Sequence, residues 1–256
     1  MAIIVDVGAS VGLLSTYMAK RSKENHVYAI EPLPDIAESI EKRPNTTVIC
    51  RAICSKEKIP ASGKRIFKRM KWSELSTLNE VKTNIDVEVN AGYLEGIELD
   101  LETEVRCSTL EDLIQEFSIS TVDFLKIDTQ GSDLEVFLSA GKFLKNVKVA
   151  VLEFPYISAK SMYEDGIDLL AAVKELAKHN FFPVRIIPNG GAECNLFIRN
   201  GNLSLESYFK LEEDLRFEGA PTLKLGPHNP YINMTRRALI LMNFKIFIKH
   251  KLLKLN

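Results

Sequence analysis

The first twelve residues constrain the fold more than any other stretch. Ile3-Ile4-Val5 is a short apolar run that ends in an acid, Asp6, then passes through Gly8-Ala9-Ser10-Val11-Gly12 into a segment with Val11, Leu14 and Met18 spaced 3 and 4 apart. A buried strand, a tight glycine turn and a helix with one apolar face make the first half of a βαβ unit, which implies a parallel sheet. The turn carries a chemical expectation too. Gly8 can take dihedrals closed to other residues, Gly12 permits close packing at the head of the helix, and the first N–H groups of the helix are free to meet a carboxylate or phosphate.

The alternation continues along the chain. Residues 26–30 read as a second strand, 35–41 as a helix and 47–50 as a third strand. Residues 51–107 mix lysines with short alternating runs such as 65–72 and few helix signals, as expected of a hairpin-rich insertion over the sheet. Ser108-Thr-Leu-Glu111 has a capping-box pattern and starts a helix with Leu110, Leu113, Ile114 and Phe117 on one face. A strand over 122–128, a helix over 131–140, a strand over 147–153 and a helix carrying Leu169, Val173 and Leu176 follow. Residues 181–187 and 193–199, joined through Pro188-Asn-Gly-Gly191, read as a closing antiparallel pair.

The reading is therefore an α/β fold of Rossmann-like type, a mostly parallel sheet with an antiparallel closing strand and helices on both faces. Residues 1–200 form the domain, with 51–107 as its insertion, and 201–256 form a C-terminal extension. At 256 residues, 46% hydrophobic and 26% charged, the chain has the composition of a soluble globular protein. Its 33 basic and 34 acidic residues leave no global field to draw it to nucleic acid. The four cysteines, Cys50, Cys54, Cys107 and Cys194, contain no CxxC pair and read as buried thiols rather than a zinc site. The N-terminus lacks the features of a signal peptide and no stretch approaches the roughly 20 apolar residues of a membrane span, so a cytoplasmic protein is expected.

Two further signals point to a ligand. Glu31 closes the second strand 19 positions after Gly12, where an acid can accept hydrogen bonds from both hydroxyls of a ribose. The glycines are spaced GxxxG rather than the GxGxxG that accommodates a pyrophosphate, which favours a smaller adenosyl ligand over a dinucleotide. In Val122-Asp-Phe-Leu-Lys-Ile-Asp128, period-2 alternation puts Phe124, Lys126 and Asp128 on one face of the strand. Ligands of open α/β sheets sit beyond the carboxyl ends of the strands, so Asp128 should share a crevice with Gly8 and Glu31. The competing explanation for these charges is a structural ion pair, Lys126–Asp128 or Lys126–Glu153.

Taken in order, Asp6-x-Gly-x-x-x-Gly12, Glu31-Pro32, Arg51-Ala52, Phe124-Leu-Lys-Ile-Asp-Thr-Gln-Gly131 and Val151-Leu-Glu153 resemble the FkbM-type methyltransferases over roughly residues 3 to 200. The resemblance implies an S-adenosylmethionine-dependent O-methyltransferase that acts on a hydroxyl of a sugar, glycan, polyketide or similar small metabolite. It implies that Asp6, Gly8, Ala9, Ser10 and Gly12 hold the methionine end, that Glu31 with Pro32 meets the ribose, and that Ala52 and Ile53 meet the adenine edge. Lys126 and Asp128 would stand at the reaction centre, Asp128 also touching the cofactor. Asp128 is the first candidate for removing or orienting the hydroxyl proton and Glu153 the second. Two positions depart from the family, Gln130 and Asp133, where it usually has Glu, and the family usually carries a segment before the first strand. An NAD(P)-dependent oxidoreductase and a non-catalytic binding protein of the same fold are the alternatives.

No metal ligand set is legible beyond Asp128. His26 and His179 read as structural or solvated, and His228 in Gly226-Pro-His-Asn-Pro230 as part of a loop that could close over a substrate. From Thr235 onward the chain has Arg236, Arg237, Lys245, Lys249, Lys251 and Lys254 among apolar residues and no acid. That amphipathic tail fits a helix packed on the domain or a partner, or one lying peripherally on an anionic membrane.

Overall fold

The computed structural model of the chain describes residues 1–85, 93–164, 166–189 and 192–220. In order these form β1 (Ile3–Val7), α1 (Leu13–Arg21), β2 (His26–Ile30), α2 (Pro34–Ser39), β3 (Thr46–Ile49), β4 (Ala52–Ile53), β5 (Lys64–Met70), β6 (Leu99–Ser108), α3 (Leu110–Glu116) and β7 (Val122–Ile127). Then come α4 (Asp133–Leu138), β8 (Val147–Pro155), α5 (Leu169–Lys178), β9 (Phe181–Pro188), β10 (Glu193–Asn200) and α6 (Leu205–Leu215). Seven strands make one sheet in the order β3-β2-β1-β7-β8-β10-β9. All neighbours are parallel except β10, which runs antiparallel between β8 and β9. The strand order reverses between β1 and β7, and that switch point is where such sheets open a crevice.

Alternation along the strands sorts the core into two layers. Ile4, Phe124, Val149, Val151 and Phe197 face α1 and α6, where Leu14, Met18, Tyr208 and Leu215 meet them. Val5, Val7, Leu125, Ile127, Ala150 and Leu152 face the other way, onto Leu110, Leu113, Val136, Phe137, Ala172 and Leu176 of α3, α4 and α5. Phe217, just beyond α6, stacks on Phe124 with ring centroids 4.5 Å apart and planes 8° from parallel. Burying a ring of this size contributes about 1.5–3 kcal/mol, so residues 205–220 help to close one face of the sheet.

Within 51–107, β5 and β6 form an antiparallel hairpin and β4 pairs in parallel with only the last two residues of β6. Several expectations need adjusting. Val11 lies in the glycine turn and is 47% exposed, because Gly12 takes a left-handed conformation and α1 starts only at Leu13. The cap of α3 is Thr109, whose hydroxyl accepts the Asp112 N–H at 3.0 Å, while Ser108 is still the last residue of β6. The helix expected from residue 131 starts at Asp133, since Gln130 and Gly131 both have positive φ. Cys50 is exposed and Cys107 partly so, leaving Cys54 and Cys194 as the buried thiols. His228 and the basic tail fall outside the described residues. Among those described, no helix is long and apolar enough to cross a membrane.

Candidate functional site

The site is built where β1 and β7 end side by side. After Val7 the chain turns at Gly8, with φ 74°, and the N–H groups of Gly8 and Ala9 both donate to the Ile30 carbonyl at 3.0 and 2.9 Å. A Cβ at Gly8 would lie 1.8 Å from the Asp128 carbonyl oxygen, so only glycine lets the two strand ends approach this closely. Gly12, at φ 75°, fits against Ile40, whose Cγ2 would stand 2.7 Å from a Cβ there. Ala9 packs behind the turn with Ala29 and Ile40.

Glu31 closes β2 and turns back over the loop. Its Oε2 accepts the Ser10 N–H at 2.9 Å and its Oε1 the Leu33 N–H at 3.0 Å. Burial pushes this carboxyl up to about 7, against the lowering effect of those two N–H groups. Each oxygen keeps a lone pair for a further donor. Gly8, Ser10, Glu31, Pro32, Ala52, Ile53 and Asp128 line one cleft, roofed from the insertion by Phe67, Ser76 and Leu78. Asp6, Ala9 and Gly12 do not line it. Of the residues expected to meet the cofactor the other seven share the cleft, whereas Phe67, Ser76 and Leu78 were not foreseen, because alternation over 65–72 predicts a strand without saying what it covers.

Asp6 is wholly buried, with Oδ2 accepting the Ser15 hydroxyl at 2.6 Å and Oδ1 lacking any hydrogen-bond partner. Burial raises its pKa, while Lys126 and the Ser15 hydroxyl work against the rise. Lys126 is the shared counter-charge, with Nζ 2.9 Å from Asp128 Oδ2, 3.5 Å from the Gly8 carbonyl and 3.9 Å from Asp6 Oδ1. Burial alone would lower the lysine's pKa, but the charges of Asp128 and Asp6 outweigh it and hold Lys126 above its ordinary value. Of the two anticipated ion pairs the structure forms Lys126–Asp128. Glu153 is not paired with Lys126.

Glu153 joins the site through Gln130 instead. The Gln130 amide donates to Asp128 Oδ1 at 2.7 Å and to Glu153 Oε2 at 3.4 Å, while its Oε1 accepts the Tyr163 hydroxyl at 2.8 Å. Asn189 also donates to Glu153. Asp133 ties the loop down, accepting the Thr129 N–H and hydroxyl at 2.8 and 2.9 Å on one oxygen and the Glu153 N–H at 2.8 Å on the other. Burial and the Asp128 charge push Asp133 up to about 7. Burial, reinforced by Glu193, Asp128 and Asp133, pushes Glu153 well above the usual carboxylate range. Glu193 opens β10 opposite Pro155 and is raised by burial, Asp128 and Asp133 to about 7.

Asp6 and Asp128 thus flank Lys126, and burial makes Asp6, Asp133, Glu153 and Glu193 hold protons more tightly than an ordinary acid. Tyr163, Asn189 and Glu193 were not anticipated as members. The signal for Glu193 was present, since the head of an antiparallel strand beside β8 must lie at the carboxyl rim, whereas nothing local ties Tyr163 to Gln130. Among the described residues no three acidic, histidine or cysteine side chains converge to hold a metal ion.

An adenosyl sulfonium with an amino-acid tail fits this donor set. The Gly8 cradle leaves backbone open at the sheet rim, Asp6 Oδ1 is a buried acceptor without a donor, and Glu31 has spare acceptor capacity beside the cleft.

Residues 6–181 match the methyltransferase FkbM domain. The chain is 28% identical over 183 residues to the AMB antimetabolite synthetase AmbE of Pseudomonas aeruginosa, an alignment covering 59% of this chain and 8% of that protein. Solved structures with similar folds include human methyltransferase-like protein 13 in complex with SAH, at 12% identity and TM-score 0.42, covering 91% of this chain and 87% of that one. The fibrillarin/Nop5p complex has a chain at 13% identity and TM-score 0.41, covering 78% and 72%. With the family match running through the glycine turn, Glu31 and the whole segment from Lys126 to Glu153, the chain belongs to the FkbM-domain family of S-adenosylmethionine-dependent methyltransferases.

Proposed function

We propose that the protein is an O-methyltransferase acting on a hydroxyl of a sugar, glycan or small metabolite. The observation that supports this is the pairing of the cleft with the carboxylate bed, joined at Asp128, which touches both. In this reading the loop from Asp6 to Gly12 holds the methionine end of S-adenosylmethionine, Glu31 and Pro32 the ribose, and Ala52 and Ile53 the adenine edge. The bound cofactor supplies a methyl group already activated by the sulfonium, so the protein must align the acceptor oxygen and take its proton.

Asp128 faces that task with Lys126 fixing one oxygen and Gln130 the other. It orients the acceptor hydroxyl and receives the proton, and Glu153, held by Gln130, is the second candidate for that role. Incubation with carbon-13-methyl S-adenosylmethionine and a panel of polyols, sugars and amines tests this. The expected product carries its label on oxygen, and D128N loses about 10²-fold or more of the rate at saturating S-adenosylmethionine. Label found on nitrogen, or full turnover by D128N, overturns the reading.

A further inference from the structure

Cys54 and Cys107 come together at the junction of β4 and β6. Ala52 is the ladder partner of Cys107 and Ile53 that of Ser108, and the Cys54 N–H donates to the Ser108 carbonyl at 3.1 Å. Side chains two positions apart on a strand share a face, so Cys54 projects on the same side as Ala52 and Cys107. Arg65 joins them from β5, where it stands opposite Val105, two positions from Cys107. The Cys107 thiol donates to the Val105 carbonyl at 3.8 Å, and Arg65 stands beside that carbonyl's strand as the neighbouring cation. Cys54 is 1% exposed, whereas Cys107 is partly open to solvent and gives a small oxidant its way in. Ala52, Val105 and Phe67 pack around Cys107, and Ala52, Ile53 and Phe67 are also walls of the cleft proposed for the cofactor.

We propose that Cys54 and Cys107 form a reversible dithiol–disulfide site that couples oxidation to cofactor binding. Such a site needs a thiolate beside a cation and a second thiol within reach to resolve it, and both are here. The neighbouring Cys107 and the Arg65 cation ease the first proton off the pair, bringing Cys54 to about 7 despite its burial, while the remaining proton is held above the ordinary thiol range. With hydrogen peroxide as oxidant, the thiolate attacks one peroxide oxygen and the O–O bond breaks, giving a sulfenic acid and, with the released proton, one water. The second thiol then attacks that sulfur, the S–S bond forms and a second water leaves. Two thiols lose two electrons and two protons, and the peroxide is reduced to two waters.

A disulfide brings the sulfurs to about 2.05 Å, which draws the Cys54 end of β4 toward β6. Ala52 and Ile53 move with it, so the cleft wall changes. By reciprocity, cofactor bound in the cleft must slow or disfavour the crosslink to the same extent that the crosslink weakens binding.

The test uses the full chain treated with hydrogen peroxide, acid-quenched, alkylated and mapped by mass spectrometry, alongside titration with S-adenosylhomocysteine. The expected result is a 54–107 crosslink in wild type and in C50S, reversed by dithiothreitol, with affinity lowered about fivefold or more while oxidised and restored on reduction. C107S should stop at a sulfenic acid on Cys54. Free thiols at both positions after treatment, or a link through Cys50, overturn the site. A 54–107 link that leaves affinity unchanged overturns its coupling to the cofactor.

Discussion

The Glu31 carboxylate reaches from the end of β2 to accept the Ser10 N–H at 2.9 Å, so one acid ties the glycine turn to the neighbouring strand tip. In the folded protein burial holds this carboxyl at about 7, against about 4.3 in an unfolded chain. Between those values the unfolded state has released a proton that the folded state keeps. The Glu31 contribution therefore makes the ligand-free protein lose stability as pH rises through that window. E31Q removes the titration, so its Tm minus that of wild type should become more positive from about pH 5 to about pH 8. Parallel Tm profiles would contradict the buried carboxyl.

Gly8 is held by a clash as well as by its dihedral. G8A places a Cβ 1.8 Å from the Asp128 carbonyl, whereas G63A, at φ 68°, meets nothing within 4 Å. The second variant should cost about 1–2 kcal/mol from the left-handed backbone alone, and the first about 2 kcal/mol more or fail to fold. Denaturant titration of the pair separates strain from contact, and equal losses would show that the two strand ends do not touch at Gly8.

Lys126 neutralises a buried acid, so K126M strands Asp6, and the expected loss is about 3–5 kcal/mol. The double variant K126M/D6N should recover part of it. A stability for K126M within about 0.5 kcal/mol of wild type would remove the lysine from its place between Asp6 and Asp128.

Gln130 works as a donor between two carboxylates. Q130E keeps the shape, and while protonated it can still donate to Asp128 or Glu153. Once ionised it sets a negative charge beside Asp128 and removes the shared donor. Its Tm should approach that of wild type in acid and fall increasingly below it as pH rises past neutrality, as thermal scans across that range would show. A pH-independent difference would mean that Gln130 does not bridge the two acids.

Much of the fold was legible because parallel strands buried on both faces write their positions as apolar runs, and Ile3-Ile4-Val5 and Phe124-Leu125 leave little choice. The glycine turn, Glu31 and Asp128 could be placed in one crevice because chain order and strand polarity put them there. Other features depend on contacts between distant segments. Thr77 and Asn79 hold the Gln130 carbonyl at 2.8 and 3.2 Å, and Phe217 finds Phe124 across nearly the whole chain. Local periodicity carries no information about such pairings. The cap of α3 slipped by one residue for a related reason, since Ser108 and Thr109 have similar chemistry and only the end of the β6 ladder decides between them.

Titration calorimetry of wild type and E31Q with S-adenosylmethionine, S-adenosylhomocysteine and NAD measures whether the adenosyl group lies between Gly8 and Glu31. One saturable site for the first two ligands, no heat with NAD, and affinity weakened about tenfold or more in E31Q are the predicted result. Binding of NAD alone, or equal S-adenosylhomocysteine affinity in both proteins, would contradict it.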